Sequence, residues 1–424
     1  MPSSIPDQFR IAAIVTTFPP RSHANVIVSK FLSGFPTDEG LIPPRTQIAS
    51  LYIDQIHTQD IGRQIAYEFD VPIYESIHAA LTLGGHDLAV DAVLLIGEHG
   101  DYPVSQLGQE MLPRRYFFEQ ICGVIGNAQR PVPVYNDKFL SYRWDDACWM
   151  YTAAQEMGIP LWAASALPVV WRRPNWQHPT GEPIDEALAI GFHMIERYGY
   201  HGLESLQCQI EHRSGGETGV VRVQCLTGDD VWRAGDRGTW SRELANAALG
   251  AIEDSPGELD PKEVDDPHVF LIDYADGLTG AVLMLGDNGY VSKFAFAEKR
   301  GQTIDAIEYH GNSGPAHAAF GYLGLNIEDF FLSGVTPSPV ERTYLTTGIL
   351  EAAIISRGAG AQVIETPHLA NIRYEPAKIP PRRPSRERPS GASVAKVAPI
   401  VPGATPAADS IPICRDGTVR GKRE

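Results

Sequence analysis

The sequence predicts two coupled α/β units: an N-terminal doubly wound parallel sheet, then an α+β domain with a large, mostly antiparallel open sheet. Three observations predict it. Over residues 10–163, short and strongly apolar runs alternate with amphipathic stretches, which makes parallel strands joined by helical crossovers the natural connection. From residue 184 the texture changes to adjacent strand-like runs joined by Asp276-Gly277 and Asp287-Asn288-Gly289, the signals of antiparallel hairpins. The chain has 424 residues, 43% of them hydrophobic, enough for two cores without disulfide staples.

Each element follows in order. Arg10–Thr17 (RIAAIVTT) is the first buried strand, and a helical pattern opens near Ser22–Leu32 behind Pro19-Pro20. Gln47–Ile53 is a second strand ending at Asp54, followed by a helix near Gln59–Phe69 and a short strand at Pro72–Tyr74. Asp91–Gly97 (DAVLLIG), Val132–Tyr135 and Pro160–Ala163 complete the parallel series, with helices at 106–126 and Asp145–Met157 between them. Helical stretches are expected at 184–198 and 201–210, then strands at 218–227, 267–275, 278–285 and 290–298, with helices on one face. A last long helix falls near 340–357. The domains expected are 1–165, 166–376 and a tail, 377–424. That tail holds eight prolines and no periodicity, so it is expected to be disordered.

Charge and cysteine usage narrow the function classes. The net charge is -17; the tail carries ten Lys/Arg against four Asp/Glu, so the preceding 376 residues carry -23. A body this acidic repels phosphate backbones, which argues against nucleic acid as a partner. Five irregularly spaced cysteines without a C-x-x-C argue against a disulfide framework and a zinc–thiolate site. No apolar run approaches the roughly 20 residues that cross a bilayer, so no membrane partner is expected. The start MPSSIPDQFR lacks a cationic, apolar leader, and a cytoplasmic location is expected.

In a doubly wound sheet, ligands bind beyond the carboxyl ends of the strands, so chemistry is sought there. A dinucleotide turn after the first strand normally carries G-x-G-x-x-G. Here the segment is Thr16-Thr17-Phe18-Pro19-Pro20-Arg21-Ser22-His23, with no glycine and two residues lacking an N–H. It is either a plain connection or a turn in which Thr16, Thr17, Arg21 and Ser22 replace backbone amides with side-chain donors, Arg21 facing a phosphate. Asp54 stands where a ribose-binding carboxylate would sit, though turn-forming Asp is common at such ends.

A second cluster follows DAVLLIG: Glu98, His99, Asp101 and Tyr102, with Asn136-Asp137-Lys138 after the next strand. A lysine among carboxylates can donate to a substrate hydroxyl or, when desolvated, move a proton. Helix capping and local ion pairing would explain the same residues structurally. Glu98, His99, Asp101 and Asp137 also offer oxygen and imidazole ligands, but E-H-x-D is no recognised metal motif and no metal is assigned. The third station is Arg197, His201 and Glu204, at i, i+4 and i+7 on one helical face. An imidazole oriented by a carboxylate suits a general acid/base; a packed interface histidine is the plain alternative.

Together these stations resemble the glucose–fructose oxidoreductase/inositol dehydrogenase (Gfo/Idh/MocA) family over residues 10–370. The resemblance rests on Asn136-Asp137-Lys138 at the place of that family's Glu-Lys-Pro, on His201 and Glu204, and on the run VERTYLTTGILEAAIISRGAGAQVIETP. It implies a Rossmann-like first domain and an open C-terminal sheet. It also implies NAD or NADP as cofactor, a sugar-like small molecule as substrate, and a homodimer or homotetramer. By resemblance, Lys138 orients the reacting group, and His201 with Glu204 handles its proton. Thr16, Thr17, Arg21, Ser22, Asp54, Glu98 and His99 would face the cofactor, and Asp101, Tyr102, Asn136, Asp137 and Arg197 the substrate. The missing glycines, Asp137 and Phe139 flanking the lysine, and Arg197 in place of an acid depart from the pattern. They leave open a lyase, isomerase or hydrolase without dinucleotide, possible metal use included, and a non-catalytic sugar-binding protein.

Overall fold

The computed structural model describes residues 8–311 and 317–388. The first domain is a five-stranded, wholly parallel sheet in the order β4-β1-β5-β6-β7, with β1 at Phe9–Val15, β4 at Thr46–Ile53, β5 at Ala92–Ile96, β6 at Val134–Asp137 and β7 at Leu161–Ala164. Its crossovers run through α1 (His23–Ser33), α2 (Gly62–Glu68), α3 (Ile77–Thr82), α4 (Arg114–Ala128) and α5 (Trp144–Glu156). A small hairpin, β2 (Phe35–Thr37) and β3 (Gly40–Ile42), follows α1. β1 and β5 are buried along nearly their whole length, which is why they read as unbroken apolar runs. The chain leaves β1 toward β4 on one side and returns to β5 on the other. The strand order therefore reverses between β1 and β5, and a crevice opens above their carboxyl ends.

The second domain is an eight-stranded sheet in the order β15-β10-β11-β12-β9-β13-β14-β8. Its strands are β8 (Trp171–Arg173), β9 (Glu186–Gly191), β10 (Val220–Thr227), β11 (Pro267–Tyr274), β12 (Thr279–Leu285), β13 (Phe294–Arg300), β14 (Thr303–His310) and β15 (Ile364–Glu365). Only β9 and β12 pair in parallel; the other neighbours are antiparallel. The fold class expected from the sequence is the one observed.

Three details differ from expectation. Residues 184–198 are not a helix: β9 occupies Glu186–Gly191 at the sheet centre. Both faces of β9 are covered, so Ala187 to Ile190 are all buried and the alternation that marks a strand is missing. Helices lie on both faces of this sheet rather than one. α6 (Arg197–Ile210) and α10 (Val340–Gly358) pack on the inner face, while α7 (Asp229–Asp236) and α8 (Arg242–Ala251) cover the outer face. Val231, Trp240, Leu244 and Leu249 there enclose a core with Leu188, Ile190 and Leu283. Finally, α9 (Ala319–Ser333) crosses back onto α1 and β2, and its buried Glu328 accepts from the backbone N–H groups of Arg45 (2.6 Å) and Thr46 (3.1 Å).

The segment 377–388, inside the stretch expected as a disordered tail, lies against the body. Arg382 exchanges two 2.8 Å hydrogen bonds with the Asn326 amide, and Asn175 donates to the Ser385 carbonyl. Residues 389–424 lie outside the described residues.

Candidate active site

The ends of β1 and β5 are stitched together at the reversal point. The Thr16 N–H donates to the Ile96 carbonyl, and Thr16 Oγ1 donates to the Glu98 carbonyl at 2.8 Å. Beside this seam, facing α6 of the second domain, opens a cleft of about 460 Å³. Lys138 from the end of β6 and His201 from α6 both line it, with His23, His99 and Arg197.

Backbone strain concentrates there. Eleven non-glycine residues among those described have positive φ, and five of them line this cleft: Arg21 (65°), His99 (67°), Lys138 (64°), His193 (65°) and His317 (42°). Such residues cost on the order of 1–3 kcal/mol each and persist where surrounding contacts over-determine them. At Lys138 the contacts are visible. Its N–H donates to the Ala164 carbonyl, and the fully buried Asn136 amide points at the carbonyls of residues 137, 138 and 139. Asn136 therefore holds the turn and is not a substrate contact.

Glu98, fully buried, is the hub of the first wall. Its Oε1 accepts from Lys138 Nζ at 2.7 Å and its Oε2 from Arg114 at 2.6 Å, with Arg197 Nε 3.5 Å away. Burial pushes this carboxyl up, but Lys138 and Arg114 outweigh burial and hold it well below the usual carboxylate range. Arg114 reaches Glu98 because Gly97 leaves it room: a Cβ there would stand 2.6 Å from Arg114 Cγ. Arg197 is further tied to Glu110. Three cations thus share Glu98 and Glu110; two of them, Lys138 and Arg197, present a positive wall to the cleft, with Arg114 fully buried behind them. His99 beside them is pushed down to about 4, first by burial, so it is neutral at neutral pH.

The second wall is an imidazole relay. The Ser165 hydroxyl donates to Glu204 and lies 3.1 Å from His201 Nδ1, while Glu204 Oε1 accepts the Ser165 N–H at 3.0 Å. A hydroxyl has one proton. Given to Glu204, it obliges Ser165 Oγ to accept from His201 Nδ1–H, leaving Nε2 as the unprotonated ring nitrogen. Burial lowers the His201 pKa, which favours that neutral form. A second histidine–carboxylate pair comes from the first domain: His23 Nδ1 lies 2.7 Å from Asp137 Oδ2, with its ring edge-on to Phe320 and 5.9 Å from His99.

The turn after β1 is less open. Ser22 caps α1, accepting from Asn25 N–H and donating to the Pro19 carbonyl, and Arg21 N–H donates to the Asn25 side chain. Phe18 is buried against Gly62 at the start of α2, folding the turn back on itself. Two donors of the expected four are left: the Thr17 hydroxyl, buried without a partner, and the Arg21 side chain, exposed at the cleft. Of the two, Arg21 lines the cleft, whereas the buried Thr17 hydroxyl does not reach its lining. A ribose fits poorly at Asp54, whose two oxygens already accept from the hydroxyls of Tyr52 and Tyr102, each at 2.7 Å. Gln55 exchanges hydrogen bonds with the backbone of Asp101. The loop after β5 is thereby clasped to the end of β4, and Asp101 and Tyr102 belong to that clasp rather than to the cleft. Among the described residues no group of three or more His, Cys, Asp or Glu side chains is arranged to hold a metal.

The structure thus brings Lys138, His201, Glu204, Glu98, His99, Asp137, Arg197 and Arg21 to one place. Sequence reasoning missed three participants. His23 was passed over as the end of a proline-rich turn, Ser165 carries no motif, and Arg114 is separated from Glu98 by a loop. A histidine in the first turn of a helix that starts at a strand end was the one available signal.

No family model matches the chain, and no curated protein does. Solved structures share its fold. GenD2 from gentamicin A biosynthesis, in complex with NAD, aligns with a TM-score of 0.54 at 14% identity, over 84% of this chain and 96% of that one. Apo scyllo-inositol dehydrogenase from Lactobacillus casei aligns with 0.52 at 10%, over 84% and 98%. Myo-inositol 2-dehydrogenase from Lactobacillus plantarum aligns with 0.51 at 10%, over 84% and 99%. At such identities the likeness is one of architecture alone: the chain has the two-domain fold of these dehydrogenases.

Proposed function

We propose that the chain is an NAD(P)-dependent oxidoreductase acting on a sugar, polyol or related hydroxy compound. The observation that carries this reading is the convergence of Lys138 and His201, from different domains, on one cleft large enough for such a molecule. Lys138 Nζ, anchored on Glu98, directs a remaining N–H at the oxygen of the reacting carbon. His201 Nε2 accepts the hydroxyl proton as that oxygen becomes a carbonyl, and the Ser165–Glu204 relay steadies the imidazolium. The positive wall of Lys138 and Arg197 favours charge developing on the oxygen. His23, paired with Asp137, is a second proton acceptor, from the first domain. Arg21 would hold the phosphates of a dinucleotide, whose nicotinamide supplies the partner for hydride. The small-molecule partner, a cytoplasmic location and a homodimer or homotetramer complete the proposal. Since α7 and α8 cover the outer face of the second sheet, subunits would meet elsewhere.

The clasp on Asp54 and the prolines in the first turn favour a second reading, a lyase, isomerase or hydrolase using the same acid–base groups without dinucleotide. One experiment separates them. Purified protein is titrated with NAD+, NADH, NADP+ and NADPH by tryptophan fluorescence, then incubated with a panel of sugars and polyols while absorbance at 340 nm is followed. The first reading expects saturable quenching and a 340 nm signal that Lys138→Ala and His201→Ala abolish. No response to any of the four at millimolar concentration sinks it in favour of the second.

A further inference from the structure

We infer that a separate cavity, between Arg172 and Arg383, binds a phosphate group. The cavity measures about 410 Å³, and its polar lining includes Arg172, Gln177, Glu211, His212, Arg342 and Arg383. It lies behind the cleft. Leu167 and Val170 line the cleft, whereas Pro168, between them in chain order, and Arg172 line this cavity.

The argument is one of uncompensated charge. Arg172 is 2% exposed and donates to the carbonyls of Pro168 (2.8 Å) and Trp176 (3.3 Å) and to the Gln177 side-chain oxygen, yet among the described residues its buried Nε has no partner. Arg383, partly buried, has an NH1 group that is also buried without a partner. Among the described residues neither guanidinium has a carboxylate within ion-pair distance. Their neighbours differ: Arg342 is held by Glu211 on both its arms, and Arg382 by Asp329. Burial pushes His212 in the same cavity down to about 4, so it adds no charge at neutral pH. Two positive charges therefore remain. Burial, and then the Arg172 charge, brings the Arg383 guanidinium down to about 10, a sign that each destabilises the other.

Buried like charges without a counter-ion are costly, and an anion between them removes the cost. Two planar forks approaching from different chain segments match the several acceptor oxygens of a tetrahedral ion better than they match one planar carboxylate. The ligand class is thus inorganic phosphate or a small phosphate monoester.

The test uses the full chain, with inorganic phosphate as probe. Isothermal titration and thermal melting are run in sodium phosphate, and in sodium chloride and sodium acetate at matched ionic strength. One equivalent of phosphate should bind saturably and raise Tm, while chloride and acetate do neither. Arg383→Gln, which removes a side chain that makes no hydrogen bond among the described residues, should weaken phosphate binding about tenfold or more. Arg172→Gln should do the same, its circular dichroism checking that the fold survives. Lys138→Met should leave phosphate binding unchanged. Absence of saturable binding, unchanged affinity in Arg383→Gln, equal affinity for acetate, or loss of binding in Lys138→Met would each overturn the assignment. The last outcome would put the ion in the cleft. None of these results bears on whether a dinucleotide binds, so this inference and the proposed redox activity stand or fall separately.

Discussion

The two ends of the crevice above the first sheet are finished differently. At the end facing α6, the carboxylates Glu98, Asp137 and Glu204 each engage another ionisable side chain. Glu98 is gripped by Lys138 and Arg114, Asp137 faces His23, and Glu204 reaches His201 through Ser165, while Lys138 Nζ keeps N–H capacity and His201 keeps Nε2. At the end near β4, polar groups satisfy the protein itself. Ser22 caps its own helix, and Asp54 is occupied by two tyrosines. One end holds its acid–base groups in fixed pairs, and the other retains few groups for a second ligand. The two ends can differ in this way because they are carried by different loops on one scaffold.

The strongest way to break this contrast is to remove the acid–base groups. Lys138→Met is expected to lower kcat on a turned-over substrate about a thousandfold with little change in Tm beyond a few degrees, and His201→Gln about a hundredfold or more. Ser165→Ala should leave KM nearly unchanged and move the acidic limb of the kcat profile, because only the orientation of His201 is lost. Full activity in Lys138→Met would reduce this end of the cleft to a structural ion-pair cluster.

Next in size is Glu98→Gln. It leaves Lys138 and Arg114 without their buried counter-charge, so chemical denaturation should show a loss of about 3–5 kcal/mol. The comparable change at the other end, Asp54→Asn, removes an exposed carboxylate and should cost under about 1 kcal/mol. Equal losses would erase the difference in preorganisation.

A third measurement uses pH. The folded pKa of His99 is about 4, below its ordinary value near 6.5, because burial disfavours the imidazolium. The unfolded chain therefore binds an extra proton between these values. The stability that neutral His99 contributes is complete above about pH 6.5 and is lost as pH falls toward 4. The stability difference between wild type and His99→Gln should shrink by roughly 2–3 kcal/mol across that window. A difference independent of pH would mean that His99 is solvated rather than enclosed by the positive wall.

How far the sequence disclosed this arrangement follows from locality. The parallel series was legible because strands buried on both faces are apolar throughout, and Lys138 and His201 because strand ends and helix starts locate ligands in such folds. The centre strand β9 reads as helix for the same reason that β5 reads as strand without ambiguity of place: burial on both faces removes the alternation, and Ala187 and Ala189 suit either state. Asn136 and Tyr102 were assigned to substrate although their partners, three carbonyls and Asp54, are internal. Ser165 was invisible because its role exists only once Glu204, 39 residues later, folds back onto it.

The smallest effect bears on the less open end. Tyr102 donates to Asp54 Oδ2 from the loop after β5, and Gln55 ties the same loop at Asp101. Tyr102→Phe removes one of the two hydroxyls on Asp54 without altering packing, at a cost of about 1 kcal/mol or less for a surface hydrogen bond. If a ribose competes for Asp54, releasing that oxygen should tighten NAD(H) or NADP(H) binding about threefold by fluorescence titration, a gain near 0.7 kcal/mol. If the clasp only fastens a loop, Tm falls slightly and nucleotide affinity stays where it was. The sign is informative because the two effects run in opposite directions: a destabilised protein that nonetheless binds the dinucleotide more tightly has exchanged an internal hydrogen bond for a ligand contact, and a purely structural tyrosine has no route to that result.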